Sequence, residues 1–222
     1  MHLDYAAIAA EAAALGIALD AAALPRAEGH ARRAIDARAS AEGAATGNDA
    51  SRVPHYFDDL LAGAGLADSL RAALVPRLRA HHRERSLWRV PFACARATLE
   101  RLRHAGLRLG VVSNADGRAG SVLAAAGLAS SLDVIVDSHL EGVEKPDPEI
   151  FRRALVRLGA VAGRTLFVGD IVSIDVVGAR NAGLRPVLLD AAGAYDDADC
   201  DRIARPGELL GLLGIGATGG AA

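Results

Sequence analysis

Among its 25 lysine and arginine residues this chain of 222 has a single lysine, and it has only two cysteines, one tryptophan and one methionine. Cys94 and Cys200 stand far apart, with no CxxC pair and no Cys/His grouping, so the sequence indicates neither a zinc site nor a disulfide framework. A reducing cytoplasm is the expected compartment. A formal charge of −2 and a pI near 6.4 leave no broad basic field, so nucleic acid and membrane are not expected partners. Long apolar runs are missing too. The Ala-rich stretch 1–24 is interrupted by Asp4, Glu11 and Asp20 and has no basic leader, which argues against a signal peptide or a membrane span and suggests a soluble helix. Aromatic residues make up 4% against 51% hydrophobic, so a core has to be built from Ala, Leu, Val and Ile. No GxGxxG follows an apolar run, which disfavours a dinucleotide-binding fold.

What is present falls into two textures. Over 1–89, Ile8, Leu15 and Leu19, and later Leu60, Leu61, Leu70, Leu74 and Leu78, recur at near-helical spacing, and no strand signal appears. Residues 43–48 with Asp49 and Ser51 read as a loop, and Gly63, Gly65 and Asp68 as a second break. This predicts a mostly helical lobe. From 90 to 213, helix and strand alternate: helices over 93–104, 118–126 and 174–182, apolar runs over 107–112, 134–136, 165–168 and 186–189, and a helix capped by Asp147 with Pro148 at its first position. Continuous apolar strands alternating with helices predict an α/β, Rossmann-like parallel sheet covered on both faces, with ligands at the carboxyl ends of its strands. The Gly- and Ala-rich stretch 214–222 reads as a disordered tail.

Three groups at those strand ends carry chemistry. Val111-Val112-Ser113-Asn114 ends a strand in a hydroxyl and an amide, suited to an anionic oxygen, and equally to a plain strand-to-helix turn. Glu144-Lys145-Pro146-Asp147-Pro148 sets the sole lysine between two prolines. Arginine does not replace a point ammonium at a site, so this lysine is a candidate for neutralising phosphoryl or carboxylate charge; a solvated turn is the alternative. Phe167-Val168-Gly169-Asp170, with Asp175 five residues on, offers hard oxygen ligands suited to Mg²⁺, although both acids also suit helix caps.

In order and in placement these groups resemble the second, third and fourth motifs of the haloacid dehalogenase superfamily. The likeness runs from Phe92 to about Leu189 and includes Leu99-Glu100-Arg101-Leu102, Gly106, Phe151 and Ala182-Gly183; the helical lobe is similar to that family's cap. The resemblance implies a hydrolase, above all a Mg²⁺-dependent phosphatase acting on a small phosphorylated metabolite through an aspartyl phosphate. Ser113 and the Asn114 backbone would hold the phosphoryl group, Lys145 would steady nucleophile and phosphate, Asp170 would bind Mg²⁺, and Asp175 would assist at the metal, either as a direct ligand or from behind one. The family's first motif, an apolar strand ending in Asp-x-Asp-Gly-Thr, has no counterpart: Asp4 is the only early acid, and it reads as a helix N-terminal residue. The expectation is that the nucleophile lies upstream of this sequence in a longer native product. Without it, the open edges of neighbouring strands should be exposed. A metal-independent 2-haloacid dehalogenase and a catalytically inactive binding or regulatory relative are the alternatives. His55, Tyr56, His81, His82 and Trp88 are polar or aromatic residues available to a substrate cleft or to packing.

Overall fold

Charge capping and a glycine turn set the first helix. In the computed structural model, backbone is described for residues 1–42 and 49–216 and side chains for 1–41 and 55–216. α1 (Tyr5–Ala13) begins at Asp4, whose carboxylate accepts the Ala7 N–H at 2.9 Å. It ends before Gly16, which takes a φ of +69°. The single helix expected over 1–24 is therefore interrupted, and a separate turn at Ala21–Ala23 leads into α2 (Leu24–Glu42).

α3 (Asp49–Gly63) and α4 (Asp68–Glu84) complete the lobe. Leu24, Ala27, Ala31 and Ile35 recur along the buried face of α2 and meet Phe57, Leu60 and Leu61 of α3 and Leu74 and Leu78 of α4. Leu15 and Leu70 are exposed, contrary to the periodic reading; Leu15 lies in the turn beyond the end of α1. The loop expected at 43–48 lies outside the described residues, whereas Asp49 and Ser51, expected with it, belong to α3.

The stretch read as strand-free contains a short antiparallel pair. β1 (His2–Leu3) lies against β2 (Trp88–Val90), and the Asp4 N–H donates to the Leu87 carbonyl at 2.8 Å. Strands of two and three residues are too short to show a period. They tie the start of the helical lobe to its end.

Beyond β2 the order is α5 (Ala95–His104), β3 (Gly110–Ser113), α6 (Ala119–Ala125), β4 (Val134–Asp137), α7 (Ser138–Glu141), α8 (Pro148–Leu158), β5 (Leu166–Gly169), α9 (Val177–Asn181), β6 (Arg185–Leu189), β7 (Asp201–Ile203) and α10 (Leu209–Leu212). β3 pairs with β4 in parallel, Ser113 opposite Asp137, and β5, β6 and β7 form a second parallel set. This is an α/β fold with a helical cap. Val136, Ile150, Phe151, Ala154 and Leu155 form the interior beneath the sheet, with Phe167 set edge-on to Phe151 at 4.9 Å.

β3 and β5 do not bond to one another, so among the described residues each has one unpaired edge. Their side chains Val111, Val112, Phe167 and Val168 are only half-buried, although continuous apolar runs predicted full cover, while Val136 of β4 and Val187 and Leu188 of β6 are fully enclosed. Val134 and Ile135 of β4 and Leu189 of β6 are half-buried as well. No helix among the described residues is long and apolar enough to cross a membrane. Of the tail expected at 214–222, residues 217–222 lie outside the described residues, while Arg101 donates to the Ile215 carbonyl at 3.2 Å.

Candidate active site

β3 delivers Ser113 as its last residue, half-buried, with Asn114 next. The Asn114 amide spans to the backbone of Lys145, donating to its carbonyl at 2.9 Å and accepting its N–H at 2.8 Å. The chain after Asn114 is held by Asp137, a buried acid at the end of β4. Its carboxylate accepts the N–H groups of Gly117 (3.1 Å), Ala119 (3.0 Å) and His139 (3.0 Å), satisfying a charge that would otherwise be costly to bury. The Ser138 hydroxyl accepts the Ala115 N–H at 3.1 Å. The turn following Ser113 is thus fixed from below.

Lys145 is buried and its Nζ lies 2.7 Å from Asp175 Oδ1. The other Asp175 oxygen accepts the N–H groups of Asp170 (2.8 Å) and Ile171 (3.0 Å). Burial works to raise the Asp175 pKa, but Lys145 and the two N–H donors outweigh it and hold the carboxyl below the usual range. A Cβ on residue 169 would run into the Asp175 side chain, so this approach requires Gly169. Asp175 enters from a π turn at Val172–Val176 that precedes α9, an irregular start that aims the acid back at the strand end.

Asp170, directly after β5, faces the helical lobe. Arg32 of α2 reaches it at 3.0 Å, with 6% of the arginine side chain exposed and 34% of the aspartate's. The same Arg32 nitrogen donates to Glu28 at 3.0 Å. Glu28 in turn accepts the hydroxyls of Tyr56 (3.0 Å) and Tyr5. Depth in the protein pushes the Asp170 carboxyl up; Arg32 opposes this, while Asp175 and Glu28 add to it. Burial and the Glu28 charge raise both tyrosines, which keeps them as hydroxyl donors. Burial works to lower the Arg32 pKa, but Asp170, Tyr56 and Glu28 raise it.

A second set of contacts fastens α2 to the sheet domain. Asp36 accepts the Ser173 N–H at 2.7 Å and the Tyr195 hydroxyl at 2.5 Å. Arg33 donates to Asp197 at 2.9 Å and lies 5.1 Å above the Tyr195 ring. Ile174 packs into the same apolar cluster as Leu24, Ile35 and Phe57.

The sequence-predicted residues Asn114, Lys145, Asp175 and Asp170 therefore form one connected chain, joined to the cap through Arg32 and Glu28. Ser113 stands at the strand end beside it. Asp4, as expected, caps α1, and its second oxygen pairs with Arg89 at 2.7 Å. Of the aromatic and histidine set, Tyr56 reaches the site through Glu28. Trp88 stacks on Phe57 and meets Tyr56 and His82 edge-on, and His81 binds Glu11 at 2.9 Å. Sequence reasoning missed Arg32, Glu28, Tyr5 and Asp36; the available signal was an acid–base pair four residues apart on the apolar face of α2.

No group of three or more Asp, Glu, His or Cys side chains among the described residues is arranged to hold a metal. Mg²⁺ needs only one or two carboxylates besides water and phosphate oxygens. Asp170, partly open and next to an excess of acid, fits that requirement. Both Asp175 oxygens are engaged by Lys145 and backbone N–H groups, which suits it to anchoring rather than to direct ligation.

A family profile described as haloacid dehalogenase-like hydrolase matches residues 4–183. Glyceraldehyde 3-phosphate phosphatase of Methanopyrus kandleri is 32% identical over 172 residues, covering 73% of this chain and 73% of its own length. Haloacid dehalogenase-like hydrolase domain-containing protein 3 of Danio rerio is 40% identical over 103 residues, but the match spans only 42% of that protein and 46% of this chain. The HAD-hydrolase YfnB of Bacillus subtilis, in a crystal structure bound to magnesium, superposes with a TM-score of 0.63 at 24% identity over 96% of this chain and 94% of its own. That likeness is one of fold.

Proposed function

Since the chain belongs to the haloacid dehalogenase-like hydrolase family, we propose that its site is of the phosphatase type and takes the phosphoryl group of a small organic phosphate. The observation that carries the reading is the hydrogen-bonded chain from Asn114 through Lys145 and Asp175 to Asp170, which links the carboxyl ends of β3 and β5. The Ser113 hydroxyl and the Asn114 N–H bind phosphoryl oxygens. Lys145, held in place by Asp175, offsets the negative charge that collects during transfer. Asp170 is the carboxylate that holds Mg²⁺, and Asp175 orients it from behind through the Asp170 N–H. When bound, Mg²⁺ neutralises phosphoryl oxygens and aligns the displacement.

The nucleophilic aspartate of this reading belongs to a strand between β3 and β5, where it would form an aspartyl phosphate. The unpaired edges of β3 and β5 and the hydrogen-bonded chain that joins their carboxyl ends support a place for such a strand. Asp4 is not that nucleophile, because both of its oxygens are taken by Ala7 and Arg89. The same fact favours a second reading for the sequence as it stands, a relative that binds cation and phosphate without turnover. The test is an assay of the protein purified from its native cells. Phosphate release from glyceraldehyde 3-phosphate, phosphoserine or phosphoglycolate in Mg²⁺ supports the phosphatase, while chloride release from 2-chloropropionate without metal assigns a dehalogenase.

A further inference from the structure

Three acids, Glu28, Asp170 and Asp175, share two cations, Arg32 and Lys145, within one continuous set of contacts. Lys145 answers Asp175. Arg32 answers the other two through a single nitrogen, which lies 3.0 Å from Glu28 and 3.0 Å from Asp170. The Met1 amino group is a further cation that interacts with Asp170 and Glu28. Asp170 is where the set reaches solvent, because a third of its side chain (34%) is open while Arg32 (6%) and Glu28 (4%) are closed in.

We propose that Arg32 is the internal counter-ion of Asp170, competing with a divalent cation for the same carboxylate, and that cation binding moves the guanidinium but not the helix carrying it. This inference rests on the reading of Asp170 as the metal carboxylate. Two cations held on one carboxylate repel each other at close range, so the arrival of one favours the withdrawal of the other.

Arg32 is the one able to yield. Its hydrogen bond is to Glu28, one turn away on α2, and Glu28 is itself fixed by the hydroxyls of Tyr5 and Tyr56. Losing Asp170 therefore leaves the guanidinium paired. α2, in contrast, has independent anchors at Asp36 to Ser173 (2.7 Å) and Arg33 to Asp197 (2.9 Å), and Gly29 lies so close to Ala192 and Ala194 that a Cβ there would meet both at 2.8 Å. The side chain gives way while the cap stays seated. A divalent ion in place adds two positive charges beside Asp170, so the site attracts a phosphoryl anion more strongly once the cation has arrived.

Isothermal titration of MgCl₂ into EDTA-stripped full chain tests this without any turnover. Arg32→Gln should lower the Mg²⁺ Kd about tenfold, since the competing charge is gone. Arg33→Gln, which removes the same charge one residue along but touches Asp197 rather than Asp170, should leave it within about twofold. An unchanged or weaker affinity in Arg32→Gln overturns the inference, as does an equal gain in Arg33→Gln. If Arg32→Gln fails to fold, Arg32→Lys, which keeps the charge with a shorter reach, should show a smaller gain in the same direction, and no gain again overturns it. Absence of Mg²⁺ uptake in wild type and in every variant would instead remove the metal reading itself, and the competition with it.

Discussion

Lys145 and Asp175 form a buried ion pair, Nζ to Oδ1 at 2.7 Å, and the remaining Asp175 oxygen holds the backbone at Asp170 and Ile171. One residue thus links the lysine loop to the carboxyl end of β5. Removing the cation alone strands a buried carboxylate. Lys145→Met is expected to cost about 3–5 kcal/mol in urea denaturation. Lys145→Met with Asp175→Asn should cost less than the two single changes added together, because the second substitution removes the uncompensated charge.

The pair also sets a pH dependence. The Asp175 carboxyl is held below its unfolded value by Lys145 and two N–H donors, against burial. A depressed folded pKa stabilises above the unfolded pKa, about 3.9 for aspartate, and the benefit is lost as pH falls through the folded value. Thermal melts of wild type and Asp175→Asn should therefore differ most at neutral pH and converge below about pH 4. A gap that widens on acidification would contradict the assignment.

Gly169 tests how closely the acid is packed. A methyl group there meets the Asp175 side chain, so Gly169→Ala should destabilise by about 1–3 kcal/mol through overpacking. Chemical denaturation measures it. Gly120→Ala, with open space around residue 120, is the control and should be near neutral.

The contacts at Asp36 predict a graded pair of variants. Tyr195→Phe removes one hydrogen bond, worth about 1 kcal/mol, whereas Asp36→Ala also leaves the Ser173 N–H and the Tyr195 hydroxyl without their acceptor and should cost about 1–3 kcal/mol more. Limited proteolysis of α2 should quicken in the same order.

Much of this site was legible in the sequence because its parts are local. Apolar runs that end in Ser113, Asp137 and Asp170 mark strand ends, and Asp147 with Pro148 marks the start of α8, where the carboxylate accepts the Glu149 N–H at 2.8 Å. The cap's contribution was not legible. Glu28 and Arg32 lie four residues apart on α2, but their partners Tyr5, Tyr56 and Asp170 are distant in sequence, and Asp36 meets Tyr195 across 159 residues. The β1–β2 ribbon was invisible because alternation needs more than three residues to show. The half-buried state of β3 and β5 depends on which strands pair, which no property of their own residues encodes.

The most direct test of the central claim is phosphate release by the protein purified from its native cells, after EDTA treatment and with Mg²⁺ then restored stepwise. The account predicts saturable recovery by Mg²⁺ that Asp170→Asn abolishes. Turnover that survives EDTA, or that is unchanged in Asp170→Asn, would contradict it.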